Sequence, residues 1–401
     1  MRVVVIGGGV IGVTSAYFLA RAGHSVTLVE RQPELAAECS FANGGQISAG
    51  HAVPWSSPAA PGQALRWVGR RNAPFALRLT ADPAQWRWGL AFLRQCAPQQ
   101  YRRNAKALLA MAHRSRVAFD RLLTDSGIAW QDSRTGILTI YRSRSAFDAA
   151  IADLDLLHAS GFQPEICDHE RCRAVEPALP LDGQAIAGGI YIRDDRSGDA
   201  HSFSLALADA CRDRGVAIVR GTEARLVIQN GRVVAVAGGG GEWRCDAVVL
   251  AAGVDSRILA AQAGIRLPIW PIKGYSVTVP IADERAAPRV SITDEARRVV
   301  ISRLGSNLRA AGIAELGRND SAIEPHRAQP VLDALGALFP RAVGDGAPSF
   351  WACLRPMTPD AQPLVGATRV PGLYVNTGHG HLGWTLAAAS GESLASRLTT
   401  G

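Results

Sequence analysis

Hydrophobic and polar positions change period several times along this chain, and each change predicts an element. Residues 3–6 are an unbroken apolar run, followed by Gly7, Gly8 and Gly9, a small-residue stretch with apolar positions through Leu19, and a second apolar-rich run ending at Glu30. This reads as strand, glycine turn, helix and strand. Helical periodicity returns over 105–123, where Leu108, Met111, Ala112, Phe119 and Leu122 share a stripe that Gly127 closes. Phe147, Ile151, Leu154 and Leu157 mark a further helix ended by Gly161. From Gly188 the order is strand, polar turn, helix, Gly215 and strand. Two short strands, 225–228 and 233–237, flank Asn230-Gly231, a hairpin signal, and the run Gly238 to Gly241 reads as another hairpin tip. Residues 247–252 form a wholly apolar run that stops at Gly253, as a buried parallel strand does. Alternation between 272 and 313 predicts an antiparallel sheet, and the last thirty residues repeat strand, glycine-rich loop and helix.

The order of these elements predicts an α/β protein. A Rossmann-like nucleotide-binding domain is assembled from the discontinuous segments 1–50, 188–268 and 346–401. An α+β domain from 51–187 and 269–345, with a mainly antiparallel sheet, is inserted between them. The 401 residues exceed one ordinary domain, which suits this division. The net charge of +8 comes from 41 Arg and only two Lys, Lys106 and Lys273. The arginines are scattered, whereas tracking a phosphate backbone needs a concentrated basic face, so no nucleic-acid partner is expected. Seven cysteines without a CxxC pair predict neither a disulfide framework nor a metal site and suit a reducing, cytoplasmic setting. The N-terminus enters a strand directly and no window approaches 18 uninterrupted apolar residues, so neither a leader nor a membrane span is expected.

The first motif carries chemistry. Gly7 permits a tight turn, Gly9 lets backbone approach a pyrophosphate, and Gly12 lets the helix pack close to the strand with its N-terminus toward negative charge. Glu30, 18 residues beyond Gly12, sits where a carboxylate accepts hydrogen bonds from both hydroxyls of an adenosine ribose. Nicotinamide and flavin dinucleotides both fit this much.

Taken in order, VVVIGGGVIGVTSAYFLARAGHSVTLVER, CSFANGGQIS, PIKGYSVTVPI, CLRPMTPDAQPLVG and NTGHGHLGWTLAAASG resemble the FAD-dependent D-amino acid dehydrogenases, within the D-amino acid oxidase and glycine oxidase superfamily. The resemblance runs nearly end to end. It implies FAD as cofactor, with Gly7, Gly9 and Gly12 at the pyrophosphate and Glu30 and Arg31 at the ribose. Ser40, Asn43, Gly44, Gln46 and Ile47 would form the loop past pyrophosphate and flavin. Ala224 would meet the adenine, Gly253 would close the pocket, and Gly378, Gly380, Leu382 and Gly383 would face the flavin's pyrimidine side. On the substrate side it implies Arg355 as the carboxylate anchor and Tyr275 as a phenol reaching into the pocket, with Lys273 either facing the flavin or on the surface.

Three positions depart from the family pattern. His381 stands where close relatives carry Thr and His51 where they carry Tyr, so either contacts substrate or fills space. Cys353 stands where sarcosine oxidase relatives attach flavin covalently, although the surrounding motif follows the dehydrogenase pattern. The activity implied is oxidation of a D-amino acid to its imine, then a 2-oxo acid and ammonia, with electrons leaving to a quinone or other carrier. The alternatives are a dehydrogenase for D-proline or cis-4-hydroxy-D-proline, an amine oxidase using dioxygen, a nicotinamide dehydrogenase, and a flavin subunit of an electron-transfer complex. Residues 54–92 interleave Trp55, Trp67, Trp86 and Trp88 with Arg66, Arg70, Arg71, Arg78 and Arg87. Such a stretch suits peripheral contact with the inner face of a bacterial membrane, and equally a packed helix with a solvated rim.

Overall fold

The apolar runs lie side by side. In this computed structural model, which describes residues 1–67, 73–180, 186–344 and 346–400, Arg2–Ile6 pairs in parallel with both Ser25–Val29 and Ala247–Leu250. Ala217–Val219 extends the sheet on one side and Leu373–Thr377 on the other, with Leu364–Ala367 as an antiparallel edge. Both faces of the central strand are covered, which explains its lack of alternation. Val3 and Val5 enter the core formed with helices Val10–Arg21, Ala200–Asp213 and Gly383–Thr400, while Val4 and Ile6 enter the core beneath the Arg225–Gln229 and Arg232–Gly238 hairpin. In that hairpin Asn230 and Gly231 both take positive φ, +51° and +72°, as its two-residue turn requires.

Nine strands form the large sheet among the described residues. Its order runs Ser349–Met357, Trp270–Pro280, Asn307–Leu316, Val299–Leu304, Ser291–Asp294, Ile137–Tyr141, Gly188–Ile192 and Glu165–Cys167, with Phe75–Leu77 added beside Asn307–Leu316. Pairing is antiparallel except at Ser291–Asp294 with Ile137–Tyr141 and at Phe75–Leu77. Two sequence boundaries therefore move. Gly188–Ile192 and Ser349–Met357, assigned by their position to the nucleotide-binding segments, hydrogen-bond into the large sheet instead. Both are short apolar strands whose partners lie far away in sequence, so periodicity cannot say which sheet receives them.

The helix predicted over 105–123 is Pro98–Ser126, terminated by Gly127 at φ +63° with its N–H on Leu123 O. The helix predicted around Phe147 to Leu157 is two, Arg144–Ala152 and Leu154–Ala159, because the chain turns at Asp153, whose N–H bonds Ala150 O. Of the four tryptophans in 54–92, Trp88 is buried with its indole N–H on Met357 O, and Trp55 packs inward with it. Trp86 is 50% exposed and continues into Leu90 and Leu93 along the helix Pro83–Gln95. Arg70 and Arg71 lie outside the described residues.

One buried carboxylate gives the fold a pH signature. Asp195 is 2% exposed, receives the Gly50 N–H at 3.2 Å, and has its pKa pushed up from 3.8 to about 7, above all by burial. Between those values the folded chain holds a proton that the unfolded chain releases, so stability falls as pH rises through that window and is level above it. The slope approaches ~1.4 kcal/mol per pH unit. Asp195→Asn keeps an acceptor for Gly50 and removes the titration. Thermal unfolding is expected to show the variant gaining on the native chain from about pH 4 to about pH 7, then a constant gap.

Candidate active site

A cavity of about 950 Å³ opens where the parallel sheet meets the large one. Gly7, Gly9, Val10, Glu30, Arg31 and Ala224 line it around the glycine turn, Tyr275, Arg355 and His381 line it at the large sheet, and Ser40, Asn43, Gly44, Gly253, Gly378, Gly380 and Gly383 complete the wall. The glycine turn is built for close approach. Gly7 has φ +109°, and a Cβ there would stand 2.5 Å from Ala251 O; a Cβ on Gly12 would stand 1.7 Å from Gly7 O. Gly12 itself faces the turn and not the cavity. The helix Val10–Arg21 begins with Gly9 as N-cap and no side-chain cap; Ser40 Oγ accepts from Val10 N at 3.0 Å. Its N-terminus points its partial positive charge into the cavity. Glu30 ends Ser25–Val29 with Oε2 accepting from Gly8 N at 2.5 Å and Oε1 from Gln32 N at 2.8 Å. Arg31 is paired with Glu38 and Asp255. Four residues that line the cavity each carry a buried polar atom without a hydrogen-bond partner among the described residues: Asn376 Oδ1, His379 Nε2, His381 Nδ1 and Trp384 Nε1. Buried polar atoms are nearly always hydrogen-bonded, so a polar ligand of dinucleotide kind fits this donor and acceptor set.

At the other end Arg355 is placed by a bulge. Between Lys273 and Tyr275 the pairing of Trp270–Pro280 with Asn307–Leu316 shifts register, so Gly274 faces Ile313 and Ala314 together. Ile313 takes φ +59°, a strained conformation for a β-branched residue, and its carbonyl accepts from Arg355 Nη1 at 3.0 Å. A Cβ at position 274 would fall 2.1 Å from that same Nη1, so only glycine admits the guanidinium there. Its other face lies 5.8 Å from the Trp55 ring. Among the described residues no carboxylate pairs with Arg355. A fixed cation against a cavity, with no internal counter-ion, is suited to a ligand carboxylate.

His381 stacks on Trp55 at 4.6 Å with 22° between rings. Burial, helped by Arg355 and His51, pushes its pKa down to about 3, and burial alone pushes His379 down to about 3. Both imidazoles are neutral at physiological pH. Sequence reading missed His379 and Asn376, which line the cavity, and Trp55, which does not line it but packs against His381 and Arg355. Trp55 was read only as part of an aromatic surface, and the other two have no short motif of their own.

Several expected residues lie elsewhere. Gln46 Nε2 donates to Ser291 Oγ at 2.9 Å and Thr293 Oγ1 at 3.2 Å, bracing the large sheet. Ile47 is in the core with Val10–Arg21, Leu382 packs against Leu108 and Leu109, and none of these three lines the cavity. His51 sits in the turn Ala49–His51, near Glu295 and Arg298, and also does not line it. Lys273 is neither on the surface nor among the lining residues: it is fully buried, with Nζ 2.8 Å from Asp320 Oδ1. Tyr275 presents its ring to the cavity, but its hydroxyl donates to Glu315 Oε2 at 2.9 Å, and Glu315 in turn holds Arg327 at 2.7 Å. Burial and Glu315 raise the phenol's pKa further. Tyr275→Phe is therefore expected to lower stability by about 1–3 kcal/mol, the cost of an unmet buried acceptor, while changing substrate KM less than two-fold. Denaturant unfolding and steady-state kinetics on the same variant check both.

Comparisons with known proteins give the family. The family model described as FAD dependent oxidoreductase, DAO, matches residues 2–397. The D-amino acid dehydrogenase of Cereibacter sphaeroides is 44% identical over 395 residues, covering 98% of this chain and 91% of its own. That of Dechloromonas aromatica is 43% identical over 405 residues, covering 100% and 97%. In fold, the chain is similar to glycine oxidase from Bacillus cereus, with a TM-score of 0.76 and 23% identity over 100% of this chain and 95% of that one. A turn shaped for a dinucleotide, the cavity it opens on and a match over nearly every residue lead to one conclusion: the chain belongs to the FAD-dependent oxidoreductase family, DAO.

Proposed function

We propose that this protein oxidises small D-amino acids to imines, which water converts to 2-oxo acids and ammonia. The observation that carries the reading is Arg355, a guanidinium without a carboxylate partner on the wall of the cavity that the dinucleotide turn opens into. Gly7, Gly9, Ser40, Asn43 and Gly44 would hold the FAD pyrophosphate, Glu30 the ribose and Ala224 the adenine, with Gly253, Gly378, Gly380 and Gly383 along the remaining edge. Bound FAD supplies the two-electron acceptor for the α-hydrogen. Arg355 pins the carboxylate through parallel hydrogen bonds and so fixes the α-carbon. His381 lines the cavity and is held neutral by burial, so it adds no second charge beside Arg355, which favours an uncharged side chain. Nothing in the cavity wall requires a strong base if the amine binds neutral. The D preference is supported by the names of the curated relatives.

Anaerobic addition of D- and L-alanine, proline, hydroxyproline and glutamate to the FAD-loaded protein tests this. Neutral D compounds are expected to bleach the visible flavin band and their L forms to leave it; a band unchanged by every D compound overturns the reading. Arg355→Ala is expected to lower kcat/KM by about 100-fold or more, the equivalent of two charge-assisted hydrogen bonds, with flavin content retained.

Electrons then pass to a quinone or another carrier, and the protein docks on the membrane that holds it. No helix among the described residues is long and apolar enough to cross a membrane. The support is a stripe on Pro83–Gln95, where Trp86, Leu90 and Leu93 are each at least half exposed beside Arg87 and Arg94. Co-sedimentation with anionic vesicles at low salt is expected and is expected to fall about ten-fold or more for Trp86→Ser with Leu90→Ser, as two buried apolar side chains are lost. Absence of binding by the native protein removes the docking proposal and leaves the oxidation untouched.

A further inference from the structure

Two thiols in the cavity wall have no part in this scheme. Cys39 lies in the loop that carries Ser40, the residue receiving the N–H of Val10. Cys353 lies on Ser349–Met357, opposite Gly274 and two positions before Arg355. Both are half-buried and line the cavity, from opposite sides of the junction between loop and sheet. The Cys39 Sγ is 3.1 Å from the carbonyl of Leu354, the residue next to Cys353, which sets the two thiols beside each other.

We propose that Cys39 and Cys353 are an oxidation site, a dithiol that a peroxide closes to a disulfide joining the cofactor loop to the strand that bears Arg355. The pair divides the two roles such chemistry needs. The neighbouring Cys39 thiol favours the thiolate at Cys353 against burial, with the Arg355 charge adding to it, while the Cys353 neighbour and burial hold the proton on Cys39. The Cys353 thiolate attacks a peroxide oxygen; the O–O bond breaks, an S–O bond forms, and with hydrogen peroxide the leaving hydroxide takes a proton to become water. Cys39 sulfur then attacks the sulfenic sulfur of Cys353; the S–S bond forms, the S–O bond breaks, and the Cys39 proton leaves with the oxygen as a second water. Two thiols are oxidised by two electrons and one peroxide is reduced.

The remaining cysteines supply internal controls. Cys167 and Cys172 are also adjacent, with Cys172 Sγ 3.7 Å from Cys167 O, but both are fully buried within the large-sheet core. Cys96, Cys211 and Cys245 are buried singly, and burial raises the thiol pKa of each, to about 12 for Cys211 and about 11 for Cys245. A buried protonated thiol reacts slowly.

The test treats the FAD-loaded enzyme with stoichiometric hydrogen peroxide, alkylates the remaining thiols, and maps non-reduced peptides by mass spectrometry. The expected result is an intact mass lower by two hydrogens and a crosslinked peptide pair containing Cys39 and Cys353, released by dithiothreitol. Both thiols should be consumed at least about ten-fold faster than the other five. In Cys39→Ser the crosslink is absent and dimedone labels Cys353; in Cys353→Ser, Cys39 stays alkylatable. Far-ultraviolet dichroism and flavin content show that each variant folds. Free thiols at both positions after peroxide treatment, sulfinic acid at Cys353 beside an unmodified Cys39, or a flavin mass on the Cys353 peptide would each overturn the proposal.

Discussion

The site depends on the space denied to a side chain at position 274. The Arg355 guanidinium occupies the volume that a Cβ there would take, 2.1 Å from Nη1, and hydrogen-bonds the carbonyl of a residue held at φ +59°. Neither feature is stable alone. A β-branched residue in the left-handed region costs on the order of 1–3 kcal/mol, and a guanidinium turned over its own sheet forgoes water. The bulge makes them mutually supportive, because it lines up the Ile313 carbonyl with the Arg355 guanidinium. The ladder pairs on either side, Ile272 with Leu316 and Tyr275 with Gly312, hold the bulge in register.

The glycine turn solves the same problem at the opposite end of the cavity. Gly12 closes on Gly7 O so that the first helix starts close behind the central strand, and that closeness brings its N-terminus to the cavity floor. Packing behind the turn keeps it there. Asn376 Nδ2 donates to Ser15 Oγ at 2.8 Å, and Gly391 in the last helix lets Phe18 and Thr14 approach to about van der Waals contact, so the first and last helices fix each other. The tight backbone of the turn is thus inherited from helix packing, and a change in either helix is felt at the cavity.

What the sequence disclosed follows from how local each feature is. Gly7, Gly9, Gly12 and Glu30 sit within one strand–turn–helix–strand unit, and their geometry is a property of that unit; Asn230-Gly231 is likewise a two-residue device. Arg355 was legible only through its resemblance to a motif, since nothing in the spacing of LRPMTPD places it beside Gly274. The stack of Trp55 on His381, with Arg355 beyond it, joins three residues separated by up to 326 positions, and no periodicity carries such a contact. The same limit explains Tyr275. Its partner Glu315 is on the neighbouring strand and Arg327 on a helix beyond it, so the direction of its hydroxyl is decided by tertiary packing. Gln46 and Ile47 follow a loop that reaches the cavity but themselves pair as a short strand with Arg196 and Ser197, and Leu382 turns into the core beside Leu108 and Leu109, so tertiary packing takes all three away from it.

The charge pattern along the cavity follows from these placements. Arg355 is the cation of the cavity wall in the large sheet, and two imidazoles that line the same cavity are pushed to about 3, His379 by burial and His381 by burial together with Arg355 and His51. Keeping both histidines neutral leaves the Arg355 charge without a second positive charge from His381, which stands beside it. At the far end the helix N-terminus contributes a partial positive charge, and Glu30 sits where it has already accepted two backbone N–H groups. An anionic group is therefore favoured at either end and a neutral one between. That is the arrangement needed by a pyrophosphate and a small carboxylate with an uncharged reacting centre in the middle, and it follows from a bulge, a glycine turn and burial, without any dedicated charge network.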